Sequence, residues 1–221
     1  GGYSNTASGP YSNIRGGGNN TASGNSASVS SGENNTASGI GANVSGGYGN
    51  IASGTRASIR GGRENAASGN YAIVSGGRYN TASGYCSSVA GGGGEDNYDG
   101  NIALADYSAI LGGLNNVTGD GECSFNNDAG RYVCVGQGSG AIAPQATVSG
   151  GTANLASGKS ASVSGGFGNT ASGSEASVSG GECKTASGRC ASVSGGETNT
   201  ASGSYARVSG GETNAARGRE A

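Results

Sequence analysis

Small apolar residues recur along this chain at a fixed interval of 15 residues, separated by Ser, Thr, Asn and Gly. The full pattern, Asn-Thr-Ala-Ser-Gly-x-x-Ala-Ser-Val-Ser-Gly-Gly-x-x, is visible in residues 169–183. Within each half of the pattern, apolar and polar residues alternate with a period of two and the alternation stops at Gly, which predicts a short β-strand followed by a corner. A fixed period of this length predicts an all-β parallel β-solenoid with two strands in each coil.

The second position of the repeat, which we call the Thr column, predicts the number of coils. Counting it through the whole chain gives 14 positions: Thr6, Thr21, Thr36, Ile51, Ala66, Thr81, Ile102, Val117, Gly140, Leu155, Thr170, Thr185, Thr200 and Ala215. At ~4.8 Å per coil this predicts a rod on the order of 65–70 Å long. Residues 1–221 therefore form one predicted domain. Both ends stop inside a repeat, so we expect the chain to be part of a longer array.

The alternation also predicts which side chains point inward. One strand of each coil places Asn and Ala inside, as at Asn20 and Ala22, and the other places Ala and Val inside, as at Ala27 and Val29. Stacked Asn side chains can hydrogen-bond from coil to coil. The Gly residues at the corners are expected to supply the positive φ that tight turns require.

Composition and charge exclude several classes of function. Although 49 of 221 residues are Gly and aromatic residues are only 5%, the strict register of the apolar positions indicates order. The net charge of −2, without a basic stripe, argues against a nucleic-acid partner. No apolar run has the length of a membrane span. The chain has no His, the commonest general base, and we expect it not to be an enzyme.

Two sequence blocks resemble a known family. Asn-Thr-Ala-Ser-Gly and Ala-Ser-Val-Ser-Gly-Gly are similar to the head repeats of YadA-like trimeric autotransporter adhesins and haemagglutinins; the blocks lie at 35–39, 80–84, 169–173, 199–203, 161–166, 176–181 and 191–196. The resemblance implies a left-handed β-roll, usually trimeric, that is extracellular or on the cell surface and binds host matrix or other surfaces. The spacing is also similar, more weakly, to the half-repeats of grass ice-binding β-roll proteins.

The outward faces carry regular hydroxyl groups. The Thr column, with its Ser two residues later, forms one face, and Ser pairs such as Ser177 and Ser179 form the other. Such a lattice is what an ice-binding surface requires, but Ser and Thr can equally just solvate a β-sheet. Arg residues interrupt the Ser face, so the Thr face is the better ice candidate. Its hydroxyl ladder comprises Thr6, Thr21, Thr36, Thr81, Thr170, Thr185 and Thr200. Apolar residues replace Thr at Ile51, Ala66, Ile102, Val117 and Leu155; we expect them at contacts between chains.

The corners carry two further columns. Tyr11, Tyr71, Tyr107 and Tyr205 share one corner, where they serve either adhesion or local packing, since Tyr is favoured at interfaces. Glu182, Glu197 and Glu212 stack at another corner. They form either a weak cation-binding ladder or a solvated acidic edge.

A first insertion, residues 92–100, carries oxygen ligands at alternate positions. Glu95, Asn97 and Asp99 precede Gly100, and Asp106 follows at the spacing of the last ligand in a calcium loop. This spacing predicts a Ca²⁺ site. An ordinary polar loop is the alternative.

A second insertion, residues 120–132, contains Cys123, and Cys134 follows it. A bridge between these two residues would close a short loop and would require an oxidising compartment. Cys86, Cys183 and Cys190 lie at corners that are too far apart for bonds within the chain. They are expected to form interchain bonds or to remain free thiols.

Glycosylation sequons begin at Asn19, Asn34 and Asn43, and these matter only in a eukaryotic source. The sequence as a whole predicts an extracellular structural or adhesive surface protein that forms, or belongs to, a fibre. We expect self-association as a trimer or filament. The alternatives are ice binding through the Thr/Ser face and a carbohydrate- or matrix-binding head that uses the corner Tyr residues and insertion loops.

Overall fold

The predicted solenoid is confirmed. The computed structural model describes residues 1–126, 131–136 and 144–218, with the backbone alone for 121–126 and 131–136. In these residues the chain forms two long parallel sheets, back to back, and one two-stranded hairpin. Each turn of the solenoid adds one two-residue strand to each sheet.

The first sheet contains the Thr column, and we call it the Thr sheet. Its 13 strands in the described residues are β1 (Thr6–Ala7), β3 (Thr21–Ala22), β5 (Thr36–Ala37), β7 (Ile51–Ala52), β9 (Ala66–Ala67), β11 (Thr81–Ala82), β13 (Ile102–Ala103), β15 (Val117–Thr118), β19 (Leu155–Ala156), β21 (Thr170–Ala171), β23 (Thr185–Ala186), β25 (Thr200–Ala201) and β27 (Ala215–Ala216).

The second sheet carries most of the outward Ser pairs, and we call it the Ser sheet. Its 12 strands in the same part of the chain are β2 (Asn13–Ile14), β4 (Ser28–Val29), β6 (Asn43–Val44), β8 (Ser58–Ile59), β10 (Ile73–Val74), β12 (Ser88–Val89), β14 (Ala109–Ile110), β18 (Thr147–Val148), β20 (Ser162–Val163), β22 (Ser177–Val178), β24 (Ser192–Val193) and β26 (Arg207–Val208). The hairpin pairs β16 (Gly121–Asn126) with β17 (Arg131–Gly136).

The described part of the Thr sheet has one coil fewer than the 14 predicted from the Thr column. Val117 pairs directly with Leu155, so these two strands are neighbours; Gly140, the expected position of the further rung, lies outside the described residues. The alternating residues near Cys134 do form a strand, but it belongs to the hairpin and not to the solenoid. The second excursion from the solenoid therefore extends beyond 120–132. Thirteen rungs give a rod roughly 60 Å long.

The core is a thin layer of Ala and Val. Ala22, Val29 and Val44 have no exposed surface, and their counterparts repeat this along the rod. Because these side chains are small, the two sheets lie close together. The first insertion leaves the register intact, since Thr81 pairs with Ile102 across it.

Buried Asn residues form the predicted ladder, with more hydrogen bonds than stacking alone requires. The Asn50 backbone N–H donates to Asn35 Oδ1 at 3.0 Å. Its side-chain Nδ2 also lies within hydrogen-bond distance of two glycine carbonyls, Gly46 O at 3.0 Å and Gly62 O at 3.0 Å. Each Asn thus ties its own coil to both neighbours and satisfies corner carbonyls that would otherwise be buried without a donor.

Glycine has two different roles at the corners. Gly62 has a φ of 92°, and a Cβ there would lie 2.2 Å from Gly77 O. Gly54 lacks a positive φ, yet a Cβ would lie 2.0 Å from Gly69 O, so close stacking alone requires glycine. The positive φ at that corner is instead held two residues later by non-glycine residues, such as Arg56 with a φ of 55°. The expectation that glycine supplies the turn is therefore wrong for this corner.

The hairpin lies beside the Thr sheet. Contacts join β15 to β17 and β16 to β19. Val117 and Leu155 are buried here, at 0% and 6% exposure, whereas Ile51 in the same column is 47% exposed. Ile102 and Leu104 pack against this buried pair. We attribute the burial to the insertion, so these apolar residues serve a contact within the chain.

Candidate functional site

Three tyrosines form a continuous aromatic edge at one corner of the rod, which we call the tyrosine ridge. Tyr71 and Tyr85 have ring centroids 5.6 Å apart, and Tyr85 and Tyr107 have centroids 5.5 Å apart, both pairs edge-to-face. The rings are 38%, 41% and 58% exposed, respectively. Edge-to-face pairing is a favoured arrangement of aromatic rings, so the ridge is fixed in shape while it faces solvent.

The backbone of stacked corners positions these rings. Tyr71 and Tyr107 occupy equivalent left-handed positions, with φ of 60° and 57°. The Tyr71 N–H donates to Thr55 O at 2.8 Å and the Tyr107 N–H donates to Tyr85 O at 2.8 Å. Asp106 Oδ1 accepts from the Tyr85 N–H at 2.7 Å. Hydrogen bonds between coils therefore compensate the cost of the left-handed conformation.

A cation continues the ridge by one coil. Arg56 Nη1 donates to Tyr71 Oη at 3.0 Å, and its guanidinium lies 5.6 Å from the centre of the same ring. The pKa of Tyr85 is raised, first by the charge of Cys86 beside it and then by partial burial. The raised pKa keeps the Tyr85 phenol protonated, so that it can donate a hydrogen bond. Tyr and Arg are the residues most enriched at binding surfaces.

Only part of this site is predicted from the sequence. The corner column of tyrosines includes Tyr71 and Tyr107 but neither Tyr85 nor Arg56. Tyr85 stands one residue earlier, in the adjacent column of the same corner, and that adjacency was the available signal. The other two corner tyrosines are separate from the ridge: Tyr11 is 88% exposed, and Tyr205 lies beneath Arg189, 5.9 Å from its guanidinium.

The corner cysteines Cys86, Cys183 and Cys190 are free thiols in the structure. Cys190 lies five coils beyond Cys86 in the same corner column. The successive positions are Tyr107, Gln145, Ser160, Glu175 and Cys190. These five steps correspond to about 24 Å. Cys86 and Cys190 are 104 positions apart in the sequence, which would correspond to about seven coils if all of this length belonged to the solenoid, but the insertions take up part of it. The distance still exceeds disulfide reach.

The pKa values of two of these thiols are raised. For Cys183 the main cause is burial, followed by the charges of Glu182 and Glu197. For Cys190 the cause is again burial, followed by Glu175, whose Oε2 accepts a hydrogen bond from the thiol at 3.3 Å. A raised pKa lowers the thiolate fraction and with it the reactivity of the thiol. Interchain bonding at these positions stays a prediction.

The hairpin cysteines are opposite each other in the backbone ladder. Cys123 pairs with Cys134 in the register of β16 and β17. Directly opposed residues bring their Cβ atoms close together. Their side chains lie outside the described residues, so the predicted bridge between them stays a prediction.

The calcium-loop residues are not gathered around one point. Asp99, in the first insertion, has its Oδ2 3.2 Å from the Asp96 N–H. Asp106 lies at the other corner of the coil, where it accepts from Tyr85. Within the described ranges, no group of three or more His, Cys, Asp or Glu residues could hold a metal ion. Glu95 and Asn97 are exposed.

The two hydroxyl faces differ in continuity. The Thr sheet is continuous, but the apolar residues Ile102, Val117 and Leu155 interrupt its column of hydroxyl groups. They separate Thr6, Thr21, Thr36 and Thr81 from Thr170, Thr185 and Thr200. The Ser sheet keeps an unbroken hydroxyl run through four consecutive coils, from Thr147 to Ser192. The longest unbroken runs of the Thr column cover three coils, from Thr6 to Thr36 and from Thr170 to Thr200.

The Glu column borders a shallow groove. Glu182, Glu197 and Glu212 pair in register along one corner, and Gly181 and Gly196 form the floor beside them. All three carboxylates are exposed. This arrangement fits a solvated acidic edge.

The sequons are unequal in accessibility. Asn19 and Asn34 are exposed, whereas Asn43 is half-buried and its Nδ2 donates to Ser28 Oγ at 2.7 Å. Asn19 and Asn34 are thus the more open acceptor positions.

Comparison with protein-family models and with curated proteins finds no match for this chain. The residues that the structure describes include no helix long and apolar enough to cross a membrane.

Proposed function

We propose that this chain is a rigid extracellular rod of a surface fibre or adhesin, and that the tyrosine ridge is its contact surface. The observation that carries the proposal is the exposed, edge-to-face run of Tyr71, Tyr85 and Tyr107 on a backbone fixed by hydrogen bonds between coils. A rigid aromatic surface loses little conformational entropy on binding.

The rest of the molecule supports a structural role. Its buried Asn side chains bond from coil to coil over most of the rod, and its grooves are shallow. The regular surface chemistry of the rod is dominated by Ser and Thr hydroxyl groups, and phenol and guanidinium groups stand at the tyrosine ridge. The similarity of its repeats to YadA-like adhesin heads agrees with this proposal, and we propose assembly with other copies on the same ground.

Arrays of glycans and matrix proteins test the adhesive part of the proposal. We expect binding to at least one array component, with the affinity lowered at least tenfold by Tyr85→Ser. Tyr11→Ser, which removes an exposed Tyr outside the ridge, is the control and should leave binding unchanged. Absence of binding to every component, or equal loss in both variants, would exclude the ridge as the adhesive site.

Electron microscopy of the purified chain tests the structural part. Rods or filaments with a width of one to three solenoids are expected. Monodisperse compact particles at all concentrations would contradict a fibre.

Ice binding is a second candidate, favoured by the unbroken hydroxyl run on the Ser sheet. We propose Ser177 and its neighbours Ser162 and Ser192 as the ice-facing positions, because this hydroxyl run is one coil longer than any run of the Thr column. Thermal hysteresis lost in Ser177→Lys and kept in Thr185→Lys would support this face. If thermal hysteresis is lost only in Thr21→Lys or Thr36→Lys, the ice-binding surface is the Thr sheet. If the unmodified chain shows no thermal hysteresis, ice binding is excluded.

A further inference from the structure

One position of the Asn ladder is occupied by a lysine. The inward column contains Asn20, Asn35, Asn50, Asn65, Asn80, Asn101, Asn116, Asn154, Asn169, Lys184 and Asn199, all of them buried. Lys184 has 0% exposed surface. It is thus a full-length cationic side chain inside a core built for a short amide.

The Lys184 amino group has taken the place of the amide but does not make its hydrogen bonds. A Cβ on Gly181 would lie 2.5 Å from Nζ, just as a Cβ on Gly166 would lie 2.6 Å from Asn169 Nδ2. Asn169 Nδ2 donates to two glycine carbonyls at 2.9 Å each. Lys184 Nζ has no hydrogen-bond partner, and a buried amine without a partner is costly, above all when it is charged.

The substitution also weakens the bond to the next coil. Lys184 N–H still donates to Asn169 Oδ1 at 3.1 Å, so the contact with the preceding coil is kept. Because Lys184 Nζ has no hydrogen-bond partner, it does not accept from the backbone N–H of Asn199, which occupies the next rung. The loss falls on the interface between the coil of Lys184 and the coil of Asn199.

No charge nearby compensates a protonated Lys184. Glu182, Cys183 and Glu197 are the titratable groups at the same corner, and they lie on its outer side. The strands that face Lys184 across the core contribute buried Val178 and Val193. The preceding rung contributes only the amide of Asn169. Burial accordingly lowers the pKa of Lys184.

We propose that the interface between the coils of Lys184 and Asn199 is a proton-sensitive opening point of the rod. The closed interface holds the neutral amine, and opening admits water that solvates the ammonium ion. Solenoid coils contact only their neighbours, so one weak interface can open while the rest of the rod stays folded. Opening is favoured as the pH falls.

The direction of this pH dependence follows from the different proton affinity of Lys184 in the open and closed states. In the open state Lys184 has its ordinary pKa and binds a proton more readily than in the closed state. Between these two pKa values, the opening equilibrium rises by about tenfold for each unit by which the pH falls, because one proton is taken up. Below the pKa of the closed state it levels off.

Hydrogen exchange of the full chain at several pH values tests the proposal. The ratio of protection between residues 185–216 and residues 35–65 of the same sample removes the intrinsic pH dependence of exchange. We expect this ratio to fall as the pH is lowered. Lys184→Asn should raise the ratio and make it independent of pH. Lys184→Met should keep the interface weak but also remove the pH dependence.

Labelling of amines gives a second readout, because Lys159 and Lys184 are the two lysines of the chain. Lys159 is exposed and serves as the internal control for reagent and pH. The labelling ratio of Lys184 to Lys159 should rise as the pH falls. A protection ratio or a labelling ratio that does not change with pH, or a Lys184→Met chain that keeps the pH dependence, would overturn the proposal.

Discussion

The coils around Asn50 and the coil of Lys184 have nearly the same backbone and very different interiors. Around Asn50, each inward amide donates to carbonyls on both sides and accepts from the next rung. At Lys184 the strand pairing continues unchanged, but the side chain neither accepts nor finds a partner for its own donor. The difference teaches that the repeat fixes the shape through its backbone, whereas the stability of each interface depends on one buried side chain.

Removing an intact rung should have the largest effect. We expect Asn50→Ala to lower the free energy of unfolding by roughly 3–5 kcal/mol, because two glycine carbonyls and the Asn65 N–H lose their buried partners together. Urea denaturation followed by circular dichroism measures the change. Asn43→Ala is the control: this Asn is half-buried on the Ser sheet and should cost less than about 1 kcal/mol. Equal losses in both would show that the ladder is not the main source of stability.

Loosening the hairpin region should be nearly as costly. Leu155→Ala should lower the free energy of unfolding by about 2–3 kcal/mol, since it leaves a cavity in a buried cluster. Ile51→Ala changes the same column where the side chain is 47% exposed and should cost less than about 1 kcal/mol. Thermal unfolding of both variants separates the two environments. If Ile51→Ala proves the more damaging, the burial at Leu155 is not what stabilises this region.

Restoring the ladder should stabilise the chain. Lys184→Asn is expected to raise the free energy of unfolding by about 2 kcal/mol at neutral pH, because it supplies an acceptor for Asn199 and removes a buried amine. The unmodified chain should gain stability as pH rises from the lowered pKa of folded Lys184 towards its ordinary value, since the unfolded chain binds the extra proton in that window. This dependence should vanish in the variant. Lys159→Asn, at an exposed site, should change neither quantity.

Two buried serines give the smallest contrast. Ser87 Oγ has no partner, so Ser87→Ala should raise the free energy of unfolding by about 1 kcal/mol. Ser108 Oγ donates to Ala105 O at 2.7 Å and accepts from Thr118 Oγ1 at 2.8 Å, so Ser108→Ala should lower it by about 1 kcal/mol. Differential scanning calorimetry compares them. The same sign for both variants would contradict the hydrogen-bond assignment.

The sequence predicted the fold because its strongest signal, a period of 15 residues, is also the structural unit. It predicted one coil too many because Gly140 lies one period of 15 residues before Leu155 and was counted as a rung, whereas Val117 pairs directly with Leu155. The apolar residues Val117 and Leu155 predict contacts between chains when only the sequence is considered, since no local pattern shows that the insertion packs beside them.

The candidate site was less predictable than the fold. Tyr85 stands in a different repeat column from Tyr71, so the shape of the corner is what brings the two rings together. Arg56 lies one period of 15 residues before Tyr71, in the same column, and its position beside Tyr71 could have been found from the spacing. Lys184, in contrast, could have been found from the sequence alone. It interrupts an otherwise regular column of inward Asn residues, and such a break was visible without any structure.

The direct pairing of Val117 with Leu155 has a practical consequence. A guest segment that leaves after one strand and returns before the next does not shift the coils around it. The corner that follows Thr118 is therefore a natural attachment point at a known height along the rod. Equivalent corners on neighbouring coils are attachment sites about 4.8 Å apart. Peptides inserted at chosen corners would be held at known distances along the rod, which could then serve as a molecular ruler.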